Sequence, residues 1–277
     1  MTILTSISPV RIHAFQKGVW QFYRHNRRHM PWRTHPTPYF VMVSEIMLQQ
    51  TQVARVQSKF VMFVRRFPSV QALAAAPLGD VLATWSGLGY NRRAKFLWQA
   101  AQAIVRDHAG EVPRSQTELT KLPGIGPNTA GAILAYAYNE PTVFIETNIR
   151  TVYLHHFFAD HPNAVSDQEL RQLVAATLPI EDPREWYWAL MDYGTSLKST
   201  AGSQLERAKA YKRQSAFKGS RREVRGQVVK ALIEHRRLAQ VELAALIPDD
   251  RLQEVCDALI GEGLIVRSAK GYQLTES

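Results

Sequence analysis

Apolar residues recur at helical spacing along most of this chain, and strict period-2 alternation is almost absent before residue 260. Ile12, Phe15, Val19 and Phe22 fall at such spacing, and Phe60, Phe63 and Val64 do so again. Short breakers separate the runs: "PTP" at 36–38, "GLG" at 87–89, "PGIGP" at 123–127 and "EDP" at 181–183. The pattern predicts an all-α body with short connections. It shows neither a repeat of solenoid period nor a low-complexity tract.

The character of the chain changes after about residue 204. Residues 205–238 hold eleven Lys/Arg against three Glu. Val224, Val228 and Leu232 mark one apolar helix face, "AQVELAALI" a second helix, and "DDRLQEVCDALIGEG" a third, with Asp249 or Asp250 as its cap and Gly263 as its stop. "LIVRSAKGYQL" reads as two short strands around a turn. Three helices and a hairpin make a small winged-helix-like domain. The predicted division is a helical domain at 1–204, a basic linker at 205–219 and the winged-helix-like domain at 220–277. The third helix, which in such modules commonly reads the major groove, carries one basic residue and several acidic ones. It either grips DNA or serves packing and partner contacts, and the basic segment before it is the better phosphate binder.

Thirty-four Lys/Arg against 24 Asp/Glu leave a formal charge of +10 over 277 residues, which favours an anionic partner, nucleic acid before a membrane surface. The single cysteine, Cys256, excludes disulfides within the chain and argues against a thiolate metal cluster. Charges interrupt every apolar run near the start, and no stretch reaches transmembrane length, so the expected location is intracellular, with no membrane contact.

Chemistry concentrates in four stretches. In "KLPGIGPNTAGAILAY" two glycines form a tight turn and Pro127 opens a helix, where no N–H is needed. Backbone amides at such a turn can face a phosphate, the habit of a helix-hairpin-helix, against the plainer reading of a capping turn. "SGLGYNRRAK" repeats the theme, with Arg92, Arg93 and Lys95 as possible phosphate contacts. Glu146, in "PTVFIETNIRTVYL", follows the hairpin after one helix. A carboxylate there can stabilise a cationic sugar as a base departs. Glu45, among Val41, Val43, Ile46, Met47 and Leu48, is either an acid of raised pKa or a Glu on the polar face of an amphipathic helix.

"PWR" (31–33), "SEIMLQQTQV" (44–53), "GLGY" (87–90), "LPGIGPNTAGAIL" (122–134) and "ETN" (146–148) together resemble the helix-hairpin-helix DNA glycosylases, nearest the MutY-type adenine glycosylases, over roughly residues 10–200. The resemblance implies a helix-hairpin-helix glycosylase fold of two helical subdomains. It implies that Glu45 protonates the departing base, Gln50 fills the stack beside the lesion, and Thr51, Leu88 and Tyr90 touch the orphaned partner. Gln49, Gly89, Arg92, Leu122, Gly124, Ile125, Gly126, Asn128 and Thr129 complete the expected DNA-binding set. Trp32 and Arg33 support it, and Asn148 orients Glu146 or the attacking water. A monovalent cation often sits in the hairpin of such enzymes, here at 122–127. His155, His156 and Asp160 receive no role.

Four departures bear on function. The second carboxylate is normally Asp, and Glu146 adds a methylene, about 1.5 Å of reach. The hairpin position that holds Lys in bifunctional relatives is Asn128, so no Schiff base forms there and a monofunctional glycosylase is expected. Relatives hold a [4Fe-4S] cluster after "ALMDYG", where this chain has no cysteine and Lys198 stands at the first ligand position, so the cluster is expected to be absent. A winged-helix-like tail replaces the usual nucleotide-hydrolase-like reader of 8-oxoguanine. The expectation is a monomeric, cytoplasmic, nucleoid-associated base-excision enzyme on duplex DNA, removing adenine opposite 8-oxoguanine or guanine. Alternatives are a thymine/uracil mismatch glycosylase on the same scaffold, a non-catalytic lesion-binding protein and, third, a transcription regulator.

Overall fold

The computed structural model describes residues 7–159, 164–202, 205–209 and 216–275. In chain order the helices of the body are α1 (Pro9–Asn26), α2 (Pro31–Thr34), α3 (Pro38–Leu48), α4 (Val53–Arg66), α5 (Val70–Ala74) and α6 (Leu78–Trp85). Then come α7 (Arg92–Asp107), α8 (Gln116–Leu119), α9 (Pro127–Tyr138), α10 (Thr147–Phe157), α11 (Asp167–Thr177) and α12 (Pro183–Thr200). The tail adds α13 (Arg221–His235), β1 (Arg237–Leu238), α14 (Gln240–Leu246), α15 (Leu252–Gly261), β2 (Ile265–Ser268) and β3 (Gly271–Leu274). No described helix is long and apolar enough to cross a membrane.

The breakers read from sequence become helix starts. Thr37 Oγ1 accepts from Phe40 N at 3.2 Å where α3 begins, and the Asp182 carboxylate accepts from Glu185 N at 3.3 Å ahead of Pro183. Each supplies an acceptor to first-turn N–H groups that a helix cannot satisfy internally. The second glycine of "PGIGP", Gly126, is the extended N-cap of α9, with Pro127 as the first helical residue.

The chain divides into two compact units. The first holds residues 1–42, 114–120 and 125–213. Its core is aromatic: Phe15 of α1 lies 5.3 Å from the Tyr153 ring of α10 and 5.8 Å from Trp186 of α12. Phe15 and Val19 are buried as the periodicity predicted, while Ile12 and Phe22 are only half-buried and Tyr23 completes the face. A Cβ at Gly194 would stand 2.4 Å from the Asn148 carbonyl oxygen, so only glycine lets α12 lie this close to α10.

The second unit holds residues 43–113, 121–124 and 214–277. Phe63, Phe67 and Trp85 form its aromatic centre. Within it the winged-helix-like module buries Val224, Val228 and Leu232 as read from sequence. Its sheet has three strands in the order β1-β3-β2, all antiparallel, rather than the expected two. The extra strand, β1, is two residues long, too short for alternation to register. The cap of α15 also differs: Arg251 is its N-cap, and the Asp249 carboxylate, two residues earlier, accepts from Arg251 N at 2.9 Å. Gly263 does stop the helix, at φ 63°.

Candidate active-site residues

In the second unit Glu45 sits in the last turn of α3 and is 9% exposed, among Val43, Ser44, Ile46 and Met47, all nearly inaccessible. It is therefore not on a solvated polar face. A carboxyl group is retained in apolar surroundings only with compensation or for use.

The C-terminal end of α3 is held by one arginine. Arg93 Nη1 donates to the carbonyls of Ile46 at 2.8 Å and Met47 at 2.9 Å, and Nη2 donates to Thr51 Oγ1 at 2.9 Å and Gly89 O at 3.2 Å. A cation on the last carbonyls of a helix is favourable, and Arg is always available for it. Burial pushes the Arg93 guanidinium down only to about 10, so it stays charged at neutral pH. Arg93 thereby fastens "QQT" to "GLGY", and it is not a phosphate contact. Lys95 is likewise turned inward, donating to the carbonyls of Glu262 and, at 3.1 Å, Gly263. Of the three basic residues expected to meet phosphate there, only Arg92 is exposed, its guanidinium 4.9 Å from the Phe96 centroid. The sequence offered no sign of this, because a buried and an exposed arginine look alike in a basic run.

The two loops that Arg93 joins each contain a non-glycine residue in the left-handed region, Gln50 at φ 55° and Tyr90 at φ 49°. Such residues cost free energy and cluster where function demands a particular side-chain direction. Gln50 and Tyr90 are exposed, Leu88 is buried and Gly89 is exposed. Gln49 turns the other way, its Nε2 reaching Gly124 O at 3.4 Å. Gly124 has φ 77°, and a Cβ there would meet Phe96 Cβ at 2.9 Å.

In the first unit Glu146 is the N-cap of α10, half-buried, without its side chain capping the helix. Buried Phe144 and Ile145 precede it. Asn148, the second residue of α10, accepts from Lys198 Nζ at 2.6 Å and directs Nδ2 toward Met191 Sδ at 3.9 Å. Asn128 Oδ1, at the start of α9, accepts from Arg171 Nη2 at 2.9 Å and from Ile145 N at 3.4 Å, so it ties that helix start to the strand-like run leading into Glu146. Leu122 and Ile125 are buried, Gly126 is exposed, and Thr129 is half-buried.

The "PWR" arginine is structural. Arg33 makes a two-pronged pair with Asp192, Nη1 and Nη2 each 2.9 Å from a carboxylate oxygen, and Arg28 Nε adds a third contact at 2.7 Å. Trp32 is buried beside it. His156 bonds Tyr193 Oη through Nε2 at 2.9 Å, while Asp160 lies outside the described residues. Lys212 and Arg213 of the basic segment also lie outside them. Arg222, Arg225 and Arg237 engage Tyr90, Glu262 and Gln273. Sequence reasoning missed Asp192, Arg171 and Arg222 as partners of the site residues. Among the described residues no group of three His, Cys, Asp or Glu side chains is placed to hold a metal ion.

Comparison with known proteins agrees with this geometry. A family model described as "HhH-GPD superfamily base excision DNA repair protein" matches residues 43–176. The chain is 31% identical to an adenine DNA glycosylase of Mycolicibacterium smegmatis, covering 96% of this chain and 95% of that one. It is 35% identical to the adenine DNA glycosylase of Buchnera aphidicola over 65% of this chain, spanning only 52% of that relative. Among solved structures, a thermostable thymine-DNA glycosylase superposes with a TM-score of 0.63 at 22% identity, over 72% of this chain and 93% of the other, which is a likeness of fold.

Proposed function

This chain belongs to the HhH-GPD superfamily of base excision DNA repair proteins, in its adenine DNA glycosylase family, and from that premise we propose that it removes adenine paired with 8-oxoguanine or guanine in duplex DNA. The observation that carries the chemistry is Glu45, a buried carboxyl in the last turn of an apolar helix whose end Arg93 holds. The target base leaves the stack, at a cost of a few kcal/mol that is smaller at a mismatch. Glu45 gives its proton to the departing base, and the N-glycosidic bond breaks. Positive charge develops on the sugar, where the Glu146 carboxylate stabilises it or directs water to the anomeric carbon. Asn148 orients Glu146 or that water. Position 128 carries no amine, so hydrolysis ends at an abasic site, and the enzyme is monofunctional.

Gln50 and Tyr90, each held in a left-handed conformation, suit side chains that project into the duplex, with Thr51 and Leu88 beside them. The hairpin 122–127, with Asn128, Thr129 and Arg92, holds backbone phosphate, as do the Lys and Arg of 205–237 other than Arg222, Arg225 and Arg237, whose side chains are engaged within the protein. Residues 1–204 perform the excision and 220–277 form an accessory module. The protein acts as a monomer on cytoplasmic DNA. A hairpin-bound monovalent cation would use carbonyls of the 122–127 turn, where Gly124 O already accepts from Gln49.

A [4Fe-4S] cluster does not fit these residues. It takes four thiolates, and the chain has one cysteine, Cys256, buried in the winged-helix-like module with its thiol pushed up to about 11 by burial. No step is assigned to iron.

Single-turnover base release tests the reading, on duplexes carrying A opposite 8-oxoguanine, A opposite G, T opposite G and U opposite G. Adenine release that Glu45→Gln abolishes, with DNA binding retained and no stoichiometric iron in the preparation, is the expected result. Release from the pyrimidine strands alone would sink the adenine assignment, and tight binding without any release would point to a lesion-binding protein.

A further inference from the structure

We propose that Lys198 is a positioning residue for base excision, its ammonium holding the Asn148 carboxamide in the orientation that serves Glu146. The inference rests on the glycosylase reading above. Three residues of α12 converge on Asn148. Met191, Gly194 and Lys198 are spaced three and four apart and so share one face of that helix. Gly194 lets the helix approach, since a Cβ there would stand 2.4 Å from Asn148 O. Met191 Sδ receives Asn148 Nδ2 at 3.9 Å, and Lys198 Nζ donates to Asn148 Oδ1 at 2.6 Å.

The direction of the carboxamide follows from the chemistry of the amine. An ammonium has three donors and no acceptor, so it can only face the oxygen of Asn148, and the NH2 must point to the sulfur. The bond is charge-assisted and short. Half-burial of Lys198 disfavours its charge, and the Glu146 carboxylate partly restores it, so the amine answers to both members of the pair. An ordinary surface lysine would keep its head in water. Here it turns inward, at the position where the sequence resemblance places the first thiolate ligand of a cluster. The chain cannot build that cluster, and the amine contacts the site from the same place.

The test compares single-turnover adenine release by wild type, Lys198→Met, Lys198→Arg, Asn148→Ala and the Lys198→Met/Asn148→Ala double variant. The dissociation constant for a duplex carrying an uncleavable abasic-site analogue is measured in parallel. Loss of a charge-assisted bond should slow Lys198→Met about tenfold or more, with the dissociation constant changed less than about threefold. Lys198→Arg should recover most of the rate. Because Lys198 acts through Asn148, the double variant should be no more than about twofold slower than Asn148→Ala alone. A Lys198→Met enzyme at the wild-type rate would overturn the proposal, as would losses that multiply in the double variant or an arginine that rescues nothing. Lys198→Leu, which likewise lacks a donor, replaces the methionine variant if that one does not fold. Should wild type release no base from any duplex, the glycosylase reading fails and this inference falls with it. Release by wild type with no effect at Lys198 removes the inference alone.

Discussion

Arg222, at the start of α13, reaches Tyr90 in the "GLGY" loop: its Nη1 donates to the Tyr90 hydroxyl and its guanidinium lies 5.7 Å from the ring centroid. Arg93 lies 5.3 Å from the same centroid. An aromatic ring with two guanidiniums over it and its hydroxyl engaged is restrained in direction as well as position. Lys95 of α7, donating to the carbonyls of Glu262 and Gly263, makes a second tie to the winged-helix-like module. Within this unit the tail is thus fastened to the loop expected to touch the orphaned base.

The first prediction follows from that tie. Arg222→Ala and Tyr90→Phe each remove one partner of the same hydrogen bond, whose net worth is about 0.5–1.5 kcal/mol. Each should weaken mismatch processing about two- to tenfold, and the double variant should be no worse than either single one. Single-turnover rates in a double-mutant cycle measure this. Independent, multiplying losses would mean that Arg222 acts on DNA directly and not through Tyr90.

A second prediction concerns Asp192, whose side chain is 1% exposed and paired with Arg33, itself 8% exposed. Removing one partner of a buried pair leaves the other charge uncompensated. Asp192→Ala should cost about 3–5 kcal/mol in urea-induced unfolding, because both Arg28 and Arg33 lose their carboxylate. A loss under 1 kcal/mol, on the scale of an exposed pair, would show that the arginines find other partners.

The third prediction is a pH dependence. Burial pushes the His156 imidazole down to about 4, with His155 and the Arg11 guanidinium acting in the same direction. Its other neighbours, Phe15 and the Tyr193 hydroxyl, carry no charge at neutral pH. In the unfolded chain the imidazole titrates near its ordinary value of about 6.5. Between those two values the unfolded state binds more protons than the folded one, so stability falls as the pH is lowered through this window. It levels off, for this group, near pH 4. Urea unfolding at several pH values should show that decline in wild type and a shallower one in His156→Gln. Parallel curves would remove His156 as the cause.

How much of this was legible beforehand depends on the distance over which each feature is decided. The helix starts at Pro38, Pro127 and Pro183, the turn before α9 and the place of Glu146 at the head of α10 follow from a few adjacent residues. Backbone torsion preferences and side-chain spacing act over one or two turns, so a single chain displays them. Motif resemblance likewise picked out Glu45 because "SEIMLQQTQV" is contiguous. The partners were hidden. Arg33 meets a carboxylate 159 residues away, Arg222 a phenol 132 residues away, and Lys198 a carboxamide 50 residues away. Arg93 sits one residue from exposed Arg92 in the same basic run, yet turns onto the last carbonyls of α3. Local pattern set the helices and the identities of the reactive groups. Which arginine is buried, which lysine faces Asn148 and which loop the tail holds were decided only by packing, because burial and pairing are properties of neighbours brought from elsewhere in the chain.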